Sequence, residues 1–246
     1  MCGCAEPLCS LRTSSHWVWS SSHPYCPDQE QVSPCASEHQ RFHLQQVLWQ
    51  CHGVVMLSDG NVIEIRGLFS WHPVCMSLGF CLCMTEGILL FSAECSPFCF
   101  KSRKWKVRLH WFFQAVLLVC GATGFGFMVA SKNIKEHPHF TSWHSLLGVT
   151  TMAATVLQAI CGVFLLFPKL ISTRSFPRLR LYHATCGLLA YLLATVTVMS
   201  AMFTDWFQAS VTGTVWYVFL LLPLFPALVV MNQITSAFLP KKKITI

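Results

Sequence analysis

The sequence predicts an all-α, polytopic membrane protein, a helix bundle with five spanning segments. Three observations lead there. The chain of 246 residues is 54% hydrophobic and 11% charged, whereas an ordinary soluble domain carries about 25% charged residues. Five segments offer the ~20 mostly apolar residues that a spanning helix needs: Trp71 to Phe91, Leu109 to Ala130, Trp143 to Phe167, Leu181 to Phe203 and Val211 to Phe238. Backbone groups in lipid must be satisfied internally, and these runs are far longer than the tilted strands of a barrel, so they read as helices.

Taken in chain order, residues 1–67 are rich in Ser, Pro, Gln, His and Cys and lack repeat or periodicity. They read as a poorly ordered N-terminal segment. No basic region precedes an apolar core there, so no signal peptide is expected. Six cysteines lie in this segment, Cys2, Cys4, Cys9, Cys26, Cys35 and Cys51. A zinc module needs paired CxxC-like knuckles, and the spacing offers only CxC, which argues against zinc. A disulfide framework stays open if the segment is extracytosolic.

The spanning domain is placed at 68–240. Its first span is the one that carries a formal charge, Glu86. Cysteines in or beside the spans act as small hydrophobes. The last span contains Pro223 and Pro226 and should be kinked. Residues 241–246 form a basic tail with Lys241, Lys242 and Lys243.

Charge orients the bundle. Residues 1–66 carry net −3 and residues 67–246 net +10. The first connection holds Lys101, Arg103, Lys104, Lys106 and Arg108, and the third holds Lys169, Arg174, Arg178 and Arg180. The second has Lys132 and Lys135, and the fourth has Asp205 and no basic residue. Positive charge gathers on the cytosolic side, so the first and third connections and the tail are expected in the cytosol and the N-terminal segment on the other face. The run KSRKWKVR resembles a nucleic-acid patch. Between two spans it reads as a topology determinant, and no nucleic-acid partner is expected.

Four successive spans each carry a histidine near the N-terminal end: His72 in FSWHPVC, His110 in RLHWFF, His144 in TSWHSLL and His183 in RLYHATC. Successive spans alternate in direction. His72 and His144 therefore share one membrane face, and His110 and His183 the other. Two imidazoles facing each other across a four-helix core suit the two axial positions of a haem. Zinc would want three or four ligands, and no Cys, Asp or Glu is available at matching depth. Covalent haem attachment would need CxxCH, which is absent, leaving two non-covalent haem b groups. Gly148 and Gly187, each four residues after a histidine, leave room for a flat macrocycle, although close helix packing explains such glycines equally well.

Glu86 follows His72 by fourteen residues and Gln158 follows His144 by fourteen, close to four helical turns. Each should face the same way as its histidine, at the depth of the opposite pair, and aid proton uptake or hydrogen bonding there. The alternative for Glu86 is pairing with a loop lysine near the headgroups.

The motifs SWHP, RLHW, SWHS and LYHATCGL, with FQASVTGTVWY and VVMNQ further on, resemble the cytochrome b561 family of transmembrane, ascorbate-dependent reductases. The likeness runs from about Leu68 through the last span. It implies electron transfer from cytosolic ascorbate to monodehydroascorbate radical or ferric iron across an endomembrane or vesicle bilayer, with a homodimer left open. His72 and His144 would hold the extracytosolic haem, and His110 and His183 the cytosolic one. Lys106, Arg108 and Arg180 would draw anionic ascorbate to the cytosolic mouth. His137 and His139, in SKNIKEHPHFTSWH, would hold a ferric ion at the outer mouth, unless HPH is only a solvated turn. The family has six spans, so a helix preceding the first is expected to be missing here. That leaves a non-catalytic or unstable isoform as the alternative function. A histidine-lined transporter would place charges or breaks near the midplane, which the charges here avoid.

Overall fold

An apolar run in lipid satisfies its own backbone by coiling, and each expected span does so. The structure, a computed structural model, describes residues 67–92, 102–167, 169 and 175–238. The expectations for the N-terminal cysteines and for the basic tail lie outside the described residues. Among the described residues there are helices and no strand, and five helical stretches are long and apolar enough to cross a membrane.

Helix α1 spans Leu68–Leu89. Its winding changes along its length: a 3₁₀ turn over Leu68–Ser70, α-helix over Trp71–Met76, a π-helical stretch over Ser77–Met84, and α-helix again over Thr85–Leu89. α2 runs Arg103–Ile134, α3 Trp143–Leu166 and α4 Phe176–Ala201. A short helix, α5, covers Asp205–Ser210 in the fourth connection, which the sequence reading treated as loop. The last span is α6, Thr214–Leu221, followed by α7, Leu224–Phe238.

Hydropathy marked the start of α2 at Leu109, but the helix begins six residues earlier and takes Arg103, Lys104, Lys106 and Arg108 into its first two turns. Helical bonding does not stop at the lipid boundary, and long basic side chains keep their charge in water while their stems cover apolar surface. Arg108 adds a cation–π contact, 5.2 Å from the Trp105 ring centre. The expected kink in the last span is a break between Leu221 and Leu224. Pro223 sits in it, because proline lacks the N–H that would continue the helix. Pro226 falls in the first turn of α7, where a missing N–H costs nothing.

α3 begins with a reciprocal cap. The Ser145 backbone N–H donates to Ser142 Oγ at 3.2 Å, and the Ser142 N–H donates to Ser145 Oγ at 3.1 Å. Two otherwise unpaired donors are satisfied, and His144 is set in the first turn.

The bundle consists of two hairpins. α1 packs along α2, and α3 packs along α4. α7 lies against α4 and the end of α1, where Gln233 Nε2 donates to the Ile88 carbonyl at 3.2 Å. Phe80, Cys83, Met84 and Leu89 of α1, Leu117 of α2, Ala190, Tyr191 and Ala194 of α4, and Ala227 and Val230 of α7 make the core. Lipid-facing positions stay open: Trp143 is 80% exposed and Leu157 67%. Direct contact between the hairpins through α2 and α3 is slight, and the four histidines stand along that seam.

Candidate functional site

Each histidine is near the start of its helix, so the antiparallel bundle puts two at each end. The rings of His72 and His144 have centres 6.3 Å apart and planes at 86°. Those of His110 and His183 lie 6.2 Å apart at 85°. The first pair stands at the end where α1 and α3 begin. The second stands at the end where α2 and α4 begin, beside the basic residues.

Each ring is held through Nδ1. His72 Nδ1 is 2.9 Å from the Gly124 carbonyl, and His110 Nδ1 is 2.8 Å from the Gly87 carbonyl. His144 Nδ1 is 3.1 Å from the Thr197 carbonyl and 3.2 Å from Ser200 Oγ. His183 Nδ1 meets the side-chain amide of Gln158 at 3.0 Å. A carbonyl can only accept, so the rings held by Gly124, Gly87 and Thr197 carry the proton on Nδ1 and keep Nε2 free as a ligand. The anchors are reciprocal within each hairpin: α1 and α2 hold each other's histidine, and so do α3 and α4. The facing pairs, by contrast, join one hairpin to the other.

The anchors follow a register. Gly124 is fourteen residues after His110, Gln158 fourteen after His144, and Thr197 fourteen after His183. On α1 the anchor is Gly87, fifteen after His72, and the π-helical stretch explains the extra residue. A π turn closes with i→i+5 bonds and so takes in about one residue more than an α turn. The position expected for Glu86 therefore belongs to Gly87. Glu86 itself is 4% exposed, between Gly87 and Thr85, whose hydroxyl lies 2.9 Å from the Tyr191 hydroxyl.

Between the hairpins, at the His72 and His144 end, is a cavity of about 720 Å³. Its lining includes both histidines with Phe69, Phe125, Trp206 and Asp205. That volume is in the range of cofactor pockets. Two facing imidazoles at each end suit a flat metal macrocycle. Metal–imidazole bonds of about 2 Å, the length found for zinc, with the reach from nitrogen to ring centre, put two facing ring centres about 6 Å apart. Both pairs have that spacing. Among the described residues no group of three or more His, Cys, Asp or Glu gathers to hold a bare ion.

Glycines keep the site open. A Cβ on Gly148 would meet only Thr197 Cγ2, at 3.8 Å, and one on Gly187 only Gln158 Oε1, at 3.7 Å. Sequence reasoning missed Gly162, whose Cβ would lie 3.4 Å from His183 Cε1 and 4.0 Å from Nε2. It also missed the carbonyl anchors. The signal for Gly124 and Thr197 in the sequence is the same fourteen-residue spacing, from His110 and His183, that links His144 to Gln158.

A profile of the family described as eukaryotic cytochrome b561 matches residues 71–208, more than half of the chain. The chain belongs to the eukaryotic cytochrome b561 family. It is a multi-pass integral membrane protein, and a family of cytochromes implies haem. The chain is 54% identical over 179 residues to the probable transmembrane reductase CYB561D1 of Mus musculus, covering 73% of this chain and 78% of that one. It is 43% identical over 177 residues to the transmembrane reductase CYB561D2 of Bos taurus, covering 72% and 80%. A more distant relative, the plasma membrane ascorbate-dependent reductase CYBRD1 of Rattus norvegicus, is 26% identical over 149 residues, covering 57% and 47%.

The remaining expected site residues lie outside the histidine pairs. Lys106 is half-buried, and Arg108 and Arg180 are exposed, all at the His110 and His183 end. His137 and His139 are exposed in the connection between α2 and α3. His139 Nε2 is 2.8 Å from Asn133 Oδ1, and this histidine lines the cavity.

Proposed function

We propose that this cytochrome b561-family transmembrane reductase passes electrons from cytosolic ascorbate to monodehydroascorbate radical or ferric iron on the opposite side of an endomembrane or vesicle bilayer. The observation that carries this reading is the pair of facing histidines at each end of the four-helix core, with ring centres 6.3 and 6.2 Å apart. His72 with His144, and His110 with His183, would each hold one haem b. Such a group, bound by two imidazoles, supplies a one-electron couple without an open metal position, which favours electron transfer over oxygen activation.

The chain's own residues supply the rest. Nδ1 anchoring fixes the orientation of each ring and leaves its Nε2 available to a metal. Lys106, Arg108 and Arg180 surround the basic end and attract an anionic reductant, in keeping with a relative named for ascorbate dependence. At the other end, His137 and His139 offer imidazole nitrogens to a ferric ion. The test is a reduced-minus-oxidised visible spectrum of the purified full chain, followed by reconstitution into vesicles with a ferric chelate trapped inside and ascorbate outside. Two b-type components and ascorbate-driven reduction of the trapped iron are expected. Absence of b-type bands, or haems that ascorbate cannot reduce, would refute the proposal.

A further inference from the structure

The basic residues at the start of α2 do not all face the histidines. An α-helix turns about 100° per residue, so Lys106 stands about 40° round the helix from His110, and it is half-buried. Arg108 stands about 160° from His110 and about 180° from Leu117. Leu117 is 0% exposed and belongs to the core, whereas Arg108 is exposed. Arg108 therefore looks away from the bundle. Its charge still draws anions toward this end at long range, but the surface it touches is the outer one.

Within about 60° of Arg108 on that outer face stand Lys104, Trp105, Trp111 and Phe112, all exposed. Val119, also exposed, carries the same face on into the span. The Arg108 guanidinium lies 5.2 Å from the Trp105 ring centre, a cation–π distance that turns it toward the helix start. Indole rings gather at the headgroup level of a bilayer, so Trp105 and Trp111, three residues to either side of Arg108, set the two cations at the depth of lipid phosphates. No Asp or Glu occurs anywhere in α2, so no carboxylate of this helix neutralises them. Two cations with aromatic and apolar surface directly beneath are complementary to a molecule with a negative head and acyl chains.

We propose that the outer face of the start of α2 is a binding site for an anionic phospholipid, with Lys104 and Arg108 on the headgroup, Trp105 and Trp111 at its flanks, and Phe112 and Val119 along the acyl chains. The haem assignment is not needed for it.

The experiment reconstitutes the full chain into phosphatidylcholine vesicles that contain either brominated phosphatidylserine or brominated phosphatidylcholine in equal proportion, and measures the quenching of tryptophan fluorescence. The chain has nine tryptophans, so the signal of this face is the difference between each protein and the same protein carrying Trp105→Phe and Trp111→Phe. The parent should prefer the serine lipid at this face about fivefold or more, because each basic residue near an anionic surface contributes a factor of about five. Lys104→Gln with Arg108→Gln should bring the preference close to one. Arg103→Gln with Arg178→Gln removes the same charge from the same end of the bundle but off this face, and should leave the preference in place. Lys104→Gln alone, at an exposed position, should give a smaller loss and decides the matter if the double variant does not assemble. Equal quenching by the two lipids in the parent, or an equal loss in the Arg103 and Arg178 variant, overturns the proposal in favour of diffuse charge. Displacement of the serine lipid by millimolar inorganic phosphate would make this a site for a soluble anion and also overturns it. Quenching of Trp105 and Trp111 by neither lipid would mean that protein covers the face, which overturns it as well.

Discussion

At the scale of single residues, the site consists of imidazoles whose second nitrogen is already committed. Because the pairs are separate, replacing one histidine should empty one site. His72→Ala and His144→Ala should each abolish the b-type component at the end where α1 and α3 begin and leave the other, seen as loss of one of two components in the difference spectrum. If His72→Ala and His110→Ala removed one common component and spared the other, the pairing would be wrong. Gly124 tests the anchor from behind. A Cβ there would come 3.0 Å from Cys75 Cβ and 3.4 Å from the His72 carbonyl, so α1 and α2 must part. Overpacking of this kind costs about 1–3 kcal/mol. Gly124→Ala should therefore lower the thermal stability of haem binding at the His72 pair more than at the His110 pair, as followed by loss of each component on heating.

At the scale of elements, the helices were legible wherever hydropathy alone decides, and their ends were not. The start of α2 at Arg103 and the short helix α5 depend on interfacial residues that a hydropathy window counts as loop. The register of α1 was hidden for a different reason. A π-helical stretch shows no signature in composition, yet it moves the anchor from Glu86 to Gly87. Orientation belongs to this scale too. With positive charge gathered at the starts of α2 and α4, the connection from Lys135 to Ser142 should face away from the cytosol. A single protease site or reactive cysteine inserted at Pro138 should be protected from outside reagent in sealed vesicles whose cytosolic face is outward, whereas one at Ser102 should be attacked. The reverse pattern would invert the bundle and exchange the roles of the two histidine pairs.

At the scale of the whole molecule, the two hairpins, whose contact through α2 and α3 is slight, face each other across the histidine pairs, and His139 is among the residues that line the cavity. The acceptor proposal follows from that placement. Replacing both His137 and His139 by Ala should slow reduction of a trapped ferric chelate several-fold in vesicles, while both b-type components and their reduction by ascorbate are retained. Equal rates in variant and parent would remove HPH from the acceptor site and leave it a solvated turn.

What the sequence determined by itself is what depends on local pattern. Length and hydropathy specify five spans, alternation of direction puts His72 with His144 and His110 with His183, and the motifs around those histidines point to the family. What only the tertiary structure decided is how the rings are held. Gly124 lies 52 residues from His72, and Thr197 lies 53 from His144. A backbone carbonyl carries no side-chain signature in the sequence, so its choice as anchor becomes visible only when two helices pack and their register, π-helical turn included, brings one oxygen to one imidazole nitrogen.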